Sequence, residues 1–307
     1  METSHKEYIP VMLTPFKENG EIDFDRLSEL TEFYIRAGAS GLFSNCLSSE
    51  MFELTPEERI RLVRHVVTVT GKAVPVVASG TFGGKMGEQA DFVKRIFDTG
   101  VEAVIVLSNM ICRVNDPDEV FNENMFRLMS LTDGIPLGFY ECPDPWKRLI
   151  SPAQLKLFAG TKRIIYHKDT CLDIGQVRLK LKALEGSGLG LYDAYMVHAV
   201  ESLRSGSSGL SCIQGNYFPE LIVWLCENVN NDALAAEVDM VQQFISDRMD
   251  VMHDVYPVTA KYYLQKRGLH LTTFTRKEAG VFDDEIKKKM DQLSEDHKKL
   301  VSELQIT

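Results

Sequence analysis

Short apolar runs rich in β-branched residues alternate with longer segments of helical periodicity along most of the chain. Near-continuous apolar runs are typical of strands that are buried on both faces of a parallel sheet. Eight such runs predict strands at residues 8–14, 41–45, 73–79, 103–108, 135–140, 164–168, 188–192 and 209–213. The pattern therefore predicts a βα unit that is repeated eight times by about residue 230.

The segments between the predicted strands have the periodicity and the start signals of helices. Leu27, Leu30 and Tyr34 fall on one face of a helix predicted over residues 25–35. A capping residue directly before a proline marks a helix start at Thr55-Pro56, and the same pair of signals recurs at Ser151-Pro152.

A (β/α)8 TIM barrel is the simplest architecture with eight such units. A doubly wound open sheet is the alternative, but it would usually carry a glycine-rich loop after its first strand. Thr14-Pro15-Phe16 stands there instead. After residue 230 the pattern is purely helical, without a linker. We therefore expect a barrel over residues 1–230 and a helical extension over 231–307 that packs on the barrel and is not an independent domain.

Composition and charge narrow the class of protein. The 307 residues are 44% hydrophobic and 25% charged, as in ordinary globular proteins. The net charge of -10 argues against a nucleic-acid partner. No apolar run approaches the ~20 residues of a membrane span, and the N-terminal METSHKEY lacks the apolar core of a signal peptide. We expect a cytoplasmic protein whose six cysteines are reduced.

Two residues at predicted strand ends are candidate catalytic residues, because barrel enzymes place their functional groups at the carboxyl ends of the strands. Lys168 is the only lysine that closes a predicted strand, and Tyr140 closes the strand before it. Burial lowers the pKa of a lysine, so that a neutral amine becomes able to attack a carbonyl carbon. A nearby tyrosine hydroxyl can move the protons. Alternatively, Tyr140 packs in the core and Lys168 forms an ion pair in water with Asp169 or Glu141.

A second candidate feature is the loop over residues 46–50 (CLSSE). Its hydroxyl and backbone N–H groups suit a carboxylate, although an ordinary βα turn fits equally well. Strand alternation places His167 opposite Lys168, which favours a structural role. Cysteines near the strand ends match no metal-ligand spacing, and we interpret them as small buried residues.

Several segments, taken in chain order, form a family pattern: TPF at 14–16 with NGEID at 19–23, CLSSE at 46–50 with LTPEE at 54–58, YECP at 140–143, IYHKDT at 165–170, GSSG at 206–209 with Asn216, and Pro257 with Lys261. The chain resembles the dihydrodipicolinate synthase / N-acetylneuraminate lyase family of class I Schiff-base aldolases and lyases. The resemblance extends over essentially the whole chain.

The resemblance implies a (β/α)8 barrel with C-terminal helices, assembled as a homotetramer or a dimer. Lys168 would form an imine with the keto carbon of pyruvate or another 2-oxo acid, and Tyr140 would shuttle protons. Ser48, with the backbone of Ser49, would hold the 2-oxo acid carboxylate. The remaining residues that the resemblance places at the pocket are Thr14 and Ser211. It implies no metal and no organic cofactor.

The chain also departs from the family pattern. Cys46 and Ser49 replace the two glycines of the carboxylate loop, and Leu47 replaces its first hydroxyl. Residues 108–113 lack the tyrosine with which the synthases complete a proton relay from the neighbouring subunit. Arg148 is displaced from the position of the synthases' arginine. Lysine synthesis is therefore not the expected activity.

Two carboxylates are a further departure. Glu141 stands in place of the usual asparagine, and Asp169 directly follows Lys168. We expect both to add negative charge beside the pocket, which would raise the pKa of Lys168 unless the charge is neutralised.

We expect a Schiff-base lyase or aldolase, or a dehydratase, that acts on pyruvate or a related 2-oxo acid, including one derived from a sugar acid. The alternative is a family member with weakened catalysis that binds a small carboxylate or serves as an oligomeric scaffold. The altered loop and the missing tyrosine favour that alternative, whereas the retained Lys168 and Tyr140 argue against it.

Overall fold

Eight parallel strands form the centre of the molecule in a computed structural model that describes residues 6–306. Residues 1–5 and residue 307 lie outside this range, so the first residues of the predicted barrel unit, which are also the start of METSHKEY, and the last residue of the predicted extension are not described. The strands are β1 (Glu7–Tyr8), β2 (Leu42–Ser44), β3 (Val76–Ser79), β4 (Ala103–Leu107), β5 (Leu137–Tyr140), β6 (Ile164–Asp169), β7 (Gly190–Asp193) and β8 (Gly209–Leu210). Each predicted strand segment contains one of them or overlaps it.

The strand order β1-β8-β7-β6-β5-β4-β3-β2 leaves β1 and β2 to close the barrel. Pro10 has no N–H group and interrupts β1, so the closure is an isolated parallel bridge between Val11 and Phe43. The N–H of Phe43 donates to the Pro10 carbonyl at 2.9 Å. The (β/α)8 barrel prediction is confirmed, and the open-sheet alternative is wrong because this bridge joins the two edge strands.

Helices follow the strands and surround the barrel. They are α1 (Phe24–Arg36), α2 (Pro56–Thr70), α3 (Met86–Phe97), α4 (Asp118–Leu131), α5 (Pro152–Ala159), α6 (Ile174–Ala183), α7 (Ala199–Arg204) and α8 (Pro219–Asn228). The start signals act as the sequence predicts. The Thr55 hydroxyl accepts from the N–H of Glu58 at 3.3 Å, and Ser151 accepts from Gln154 at 3.2 Å.

Strand alternation divides the apolar side chains into two layers. One face of each strand packs against the helices, where Phe139 contacts Phe121 and Phe158. The other face fills the barrel interior, where Phe43 contacts Tyr140 and Tyr166 edge to face. Tyr140 and Phe139 thus project to opposite sides of β5, and the residues that face inward at the carboxyl ends form the floor of any site there.

Four further helices follow the barrel: α9 (Ala235–Ser246), α10 (Met249–His253), α11 (Val258–Lys266) and α12 (Asp284–Glu303). The purely helical pattern predicted after residue 230 is confirmed by these four helices. Val241 of α9 and Leu293 of α12 belong to the same buried cluster as Leu221 of the barrel helix α8. We propose, as the sequence suggested, that this extension packs on the barrel and is not an independent domain. None of the helices in the described part of the chain has the length and apolarity that a membrane crossing requires.

Candidate active site

Lys168 and Tyr140 lie side by side at the carboxyl ends of β6 and β5. The two residues are register partners in the sheet, and both are almost fully buried, at 4% and 3% exposure. The Lys168 Nζ atom lies 4.5 Å from the centre of the Tyr140 ring and 5.8 Å from that of Phe43. Within residues 6–306 it has neither an ion-pair nor a hydrogen-bond partner. An unpaired buried amine beside a phenol is therefore the central feature of this barrel end.

The protonation states of this pair follow from burial. Burial lowers the pKa of Lys168 below its ordinary value, and the thiols of Cys46, Cys142 and Cys212 oppose that shift. Burial also raises the pKa of Tyr140 well above its ordinary value, and the two nearest thiols add to this effect. The fraction of neutral amine on Lys168 therefore grows at lower pH than for an exposed lysine, while Tyr140 keeps its proton and can donate it.

Glu141 and Asp169 do not lie beside the pocket, so the expectation that they charge it directly is wrong. They project from the opposite face of the strands, toward α6, where both are fully buried. The ammonium of Lys180 lies 2.6 Å from an oxygen of each carboxylate. His167 lies on that outer face too, as strand alternation predicted. The alternative in which Lys168 itself pairs with these carboxylates is likewise not observed.

A cavity of about 260 Å³ opens above Lys168 and Tyr140. The cationic and ionisable nitrogen groups at its wall come from Lys168, Lys147, Lys277 and His253, and no carboxylate lines it within the described part of the chain. Apolar side chains such as Ile213 fill much of the remaining wall. A small pocket with several nitrogen bases and no acid suits an anionic ligand.

The loop over residues 46–50 contributes one predicted residue to the cavity and keeps the others below it. Ser48 lines the cavity. The Ser49 hydroxyl donates to the Met12 carbonyl at 2.6 Å, and the Ser49 N–H donates to the Cys46 carbonyl at 3.0 Å. The Thr14 hydroxyl donates to the Ser49 carbonyl at 2.7 Å. Thr14 and Ser49 therefore hold the loop in shape, and their donors already have partners inside the protein.

Ser211 also lies below the cavity. It is fully buried in the barrel interior, where its hydroxyl donates to the Ile9 carbonyl at 2.9 Å and accepts from Tyr166 at 3.0 Å. The two residues that follow it, Cys212 and Ile213, line the cavity instead. The structure thus brings Lys168, Tyr140 and Ser48 together at the cavity, and places Ser49, Thr14 and Ser211 behind its wall.

Tyr256 is a cavity residue that the sequence analysis did not identify. Its hydroxyl accepts from the Asn216 amide at 2.7 Å. Burial raises the pKa of Tyr256 well above its ordinary value, and the interaction with the Ser48 hydroxyl opposes that shift. Tyr256 directly precedes Pro257, which belongs to the family pattern, and this neighbour was the one available signal.

Lys147, and not Arg148, is the basic residue that the loop after β5 presents to the cavity. The Lys147 ammonium donates to the Thr170 carbonyl at 2.8 Å, two residues beyond Lys168. Arg148 instead pairs with Asp118 at the start of α4, at 2.6 Å. The adjacent pair of basic residues in the sequence does not reveal which one points inward.

A buried ion pair connects the 46–50 loop to the C-terminal extension. Glu50 and Lys261 are both fully buried, with 2.8 Å between oxygen and nitrogen. The second Glu50 oxygen accepts from the N–H groups of Arg276 and Lys277, at 2.7 and 3.0 Å. These bonds hold the backbone beside Lys277, whose side chain lines the cavity, so the extension contributes to the cavity wall.

Residues with metal-ligand chemistry cluster at one place among residues 6–306, and it lies outside the cavity. Glu141, His167 and Asp169 offer ligand atoms within 4.8 Å of one another. The Lys180 ammonium already lies between the two carboxylates, at 2.6 Å from each. A cation of the protein itself therefore takes the position that a metal ion would need, and the cysteines near Lys168 do not form such a group.

The geometry and the sequence motifs agree with a comparison against protein families. The model of the Dihydrodipicolinate synthetase family matches residues 4–296. The chain belongs to this family. The family resemblance is thereby confirmed. Lys168 and Tyr140 lie at the carboxyl end of the barrel, where the resemblance implies an imine-forming lysine and a proton-shuttling tyrosine.

Individual members of the dihydrodipicolinate synthetase family are distant from this chain. The 4-hydroxy-tetrahydrodipicolinate synthase of Pseudoalteromonas atlantica is 24% identical over 267 residues, which are 86% of this chain and 89% of that protein. The synthase of Shewanella piezotolerans is 23% identical over 265 residues, with 85% and 87% coverage.

Solved structures show the same barrel. The prophage protein YagE of E. coli K12, solved in complex with pyruvate, is 21% identical with a TM-score of 0.84, over 98% of this chain and 99% of that one. The 4-hydroxy-tetrahydrodipicolinate synthase of Methylacidiphilum fumariolicum SolV is 20% identical with a TM-score of 0.85, over 98% of both chains. These likenesses concern the fold.

Proposed function

We propose that the protein is a Schiff-base lyase, aldolase or dehydratase that binds pyruvate or a related 2-oxo acid as an imine on Lys168. One observation carries the proposal: a buried, unpaired lysine with a lowered pKa lies beside a protonated tyrosine at the floor of a cavity. A solvated surface lysine would have neither the burial nor the pKa shift. YagE, a relative with the same barrel, was solved with pyruvate, which supports the choice of ligand.

The imine step uses the two residues in distinct ways. The neutral amine of Lys168 adds to the keto carbon of the 2-oxo acid, and proton transfer from nitrogen to oxygen gives a carbinolamine. The carbinolamine hydroxyl receives a proton and leaves as water, so that the carbon–nitrogen double bond forms. Tyr140 donates that proton and becomes a phenolate, which recovers a proton from solvent, so the imine keeps its own proton on nitrogen. The protonated imine then accepts the electron pair of a bond that breaks at the neighbouring carbon.

The remaining cavity residues hold the substrate's anionic groups. The hydroxyls of Ser48 and Tyr256 lie together at one side of the cavity and are the proposed donors to the 2-oxo acid carboxylate. Lys147 and Lys277 line the cavity as well and suit a polar or acidic tail. Thr14, Ser49 and Ser211 support this wall from behind.

Reductive trapping tests the imine. Borohydride reduces an imine to a stable secondary amine, so incubation with pyruvate and borohydride should add one covalent adduct to the intact chain. Lys168→Met should add none. Absence of the adduct with pyruvate and with a panel of other 2-oxo acids would overturn the proposal.

A second candidate function is binding of a small carboxylate, or an oligomeric scaffold, without efficient catalysis. Leu47 favours it, because this apolar side chain lines the cavity at the position of the family's first loop hydroxyl. That candidate predicts that pyruvate binds in calorimetry but no adduct forms. Trapping of Lys168 decides against it.

The branch of chemistry follows from a substrate panel. We propose to supply 2-keto-3-deoxy sugar acids, N-acetylneuraminate and 4-hydroxy-2-oxoglutarate, and to measure released pyruvate and consumed substrate separately. Pyruvate release indicates carbon–carbon cleavage, whereas consumption with a new 2-oxo acid and no pyruvate indicates dehydration. We also propose a homotetramer or a dimer, which light scattering would show as four or two times the chain mass.

A further inference from the structure

A buried group of four ionisable residues lies directly behind the proposed active site. Glu141 follows Tyr140 on β5, and His167 and Asp169 flank Lys168 on β6. Lys180 of α6 completes the group. All four are almost fully inaccessible, with at most 2% exposure. Each proposed catalytic residue is thus followed in the chain by a carboxylate of this group.

Lys180 holds the two carboxylates together. Its ammonium donates to Glu141 Oε1 and Asp169 Oδ2, each at 2.6 Å. The carboxylates in turn fix the backbone beyond the strands. Glu141 accepts from the N–H of Ile150 at 2.8 Å and of Thr170 at 3.0 Å, and Asp169 accepts from the N–H of Cys171 at 2.8 Å.

His167 is the fourth member, and neither of its ring nitrogens has a hydrogen-bond partner among residues 6–306. Its Nε2 atom lies 3.6 Å from Glu141 and 3.5 Å from Asp169. Counted without the His167 ring, the two carboxylates and the Lys180 ammonium leave the group one negative charge. Without Lys180 the group would carry two, in a region that water does not screen.

We propose that Lys180 is a positioning residue for the Schiff-base site: it holds the ends of β5 and β6 in register and offsets one of the two negative charges behind Lys168. The inference rests on the proposed role of Lys168. Under this proposal Lys180, a residue of α6 outside the cavity, helps to set the pH at which the Lys168 amine becomes neutral.

The sign of the effect follows from electrostatics. An uncompensated carboxylate behind the strand favours the ammonium form of Lys168, so the amine would become reactive only at higher pH. On the other side of the strand, Lys168 faces Tyr140 and the thiols of Cys46, Cys142 and Cys212. These groups stay unchanged in the variants below, so a shift in the pH midpoint of Lys168 reactivity reports the charge of the buried group behind the strand.

The readout is the pH dependence of Lys168 acylation by a trace of acetic anhydride, measured by peptide mass spectrometry on the full chain. Lys180→Met should raise the midpoint of Lys168 reactivity by about one pH unit. Asp169→Asn should lower it, because it removes negative charge. The double variant keeps the net charge of the group and should return the midpoint close to that of the unmodified protein.

Lys182→Met is the matched control, because Lys182 is exposed on the same last turn of α6. It should leave the midpoint unchanged. If Lys180→Met does not fold, Asp169→Asn and the double variant carry the test. Midpoints that do not move, or that move in the same direction in both single variants, would overturn the inference, since loosening of the site has no reason to reverse sign.

Acylation needs no 2-oxo acid, so the two proposals can fail separately. A normal pyruvate adduct with immobile midpoints rejects the role of Lys180 and keeps the imine. Opposite shifts without any adduct keep the role of Lys180 as a control on Lys168 and reject the imine.

Discussion

Removing the charge of two buried lysines, Lys168 and Lys180, should change the free energy of unfolding in opposite directions. Lys168 has no ion-pair or hydrogen-bond partner among residues 6–306, whereas Lys180 contacts two carboxylates at 2.6 Å. Replacement of either lysine by methionine keeps a long apolar side chain and removes the ammonium. The pair therefore separates the cost of a desolvated charge from the loss of packing.

The magnitudes follow from the contacts. The Lys168 ammonium is compensated only by the faces of Tyr140 and Phe43, an interaction of about 1–2 kcal/mol, against a larger cost of burial. We expect Lys168→Met to increase the free energy of unfolding by about 1–2 kcal/mol at pH 7. Lys180→Met leaves two buried carboxylates unpaired and should decrease it by about 3–5 kcal/mol.

The stability gain expected for Lys168→Met should also depend on pH. Burial lowers the pKa of Lys168 in the folded protein, so its charge destabilises the fold at every pH below that folded value. The penalty diminishes between the folded pKa and the unfolded value near 10.5. The advantage of Lys168→Met should therefore shrink as the pH rises toward 10.5.

Urea unfolding followed by circular dichroism at pH 7 and pH 10 measures both effects. A Lys168→Met variant that is less stable than the unmodified protein at pH 7 would refute the reasoning, because it would show that the ammonium has partners in solution. A stability advantage that does not depend on pH would refute the explanation by desolvation.

Three further predictions concern the cavity and the segments that enclose it. Tyr140→Phe keeps the ring over Lys168 but removes the donor, so the rate of pyruvate trapping should fall by about 100-fold in a timed borohydride quench. Lys261→Met should lower the free energy of unfolding by about 3 kcal/mol in urea, and adding Glu50→Gln should recover part of that loss, because the buried charge then disappears with its partner. The hydrogen bond from Arg276 lowers the pKa of Glu58 to about 2 in the folded protein. The ionised Glu58 therefore stabilises the fold at pH values above its unfolded pKa, and this stabilisation is lost as the pH falls toward 2. Glu58→Gln should therefore cost about 1 kcal/mol at pH 7 and almost nothing near pH 2 in thermal unfolding.

Strand-level features were predictable because they depend on local periodicity. The apolar runs located all eight strands, and alternation along β6 placed Lys168 inward and His167 outward. A side chain's face is set by its position in the strand, so Tyr140 could be placed beside Lys168 once the strands were numbered.

Features that depend on contacts between distant segments were not predictable in the same way. Lys180 lies 39 residues from Glu141, and nothing in the helical pattern of α6 distinguishes it from the exposed Lys182. Tyr256 reaches the cavity from the segment between α10 and α11, whose packing depends on the tertiary fold. The family resemblance placed Ser211 at the pocket, whereas its hydroxyl donates to the Ile9 carbonyl inside the barrel.

The most direct test of the account is trapping that locates the adduct. The protein is incubated with pyruvate labelled with carbon-13 at the keto carbon, reduced with borohydride and digested, and the labelled peptide is fragmented. The account predicts one labelled secondary amine, on Lys168, that depends on both pyruvate and reductant. Label on another lysine, or no label while pyruvate binding is measurable, would contradict it.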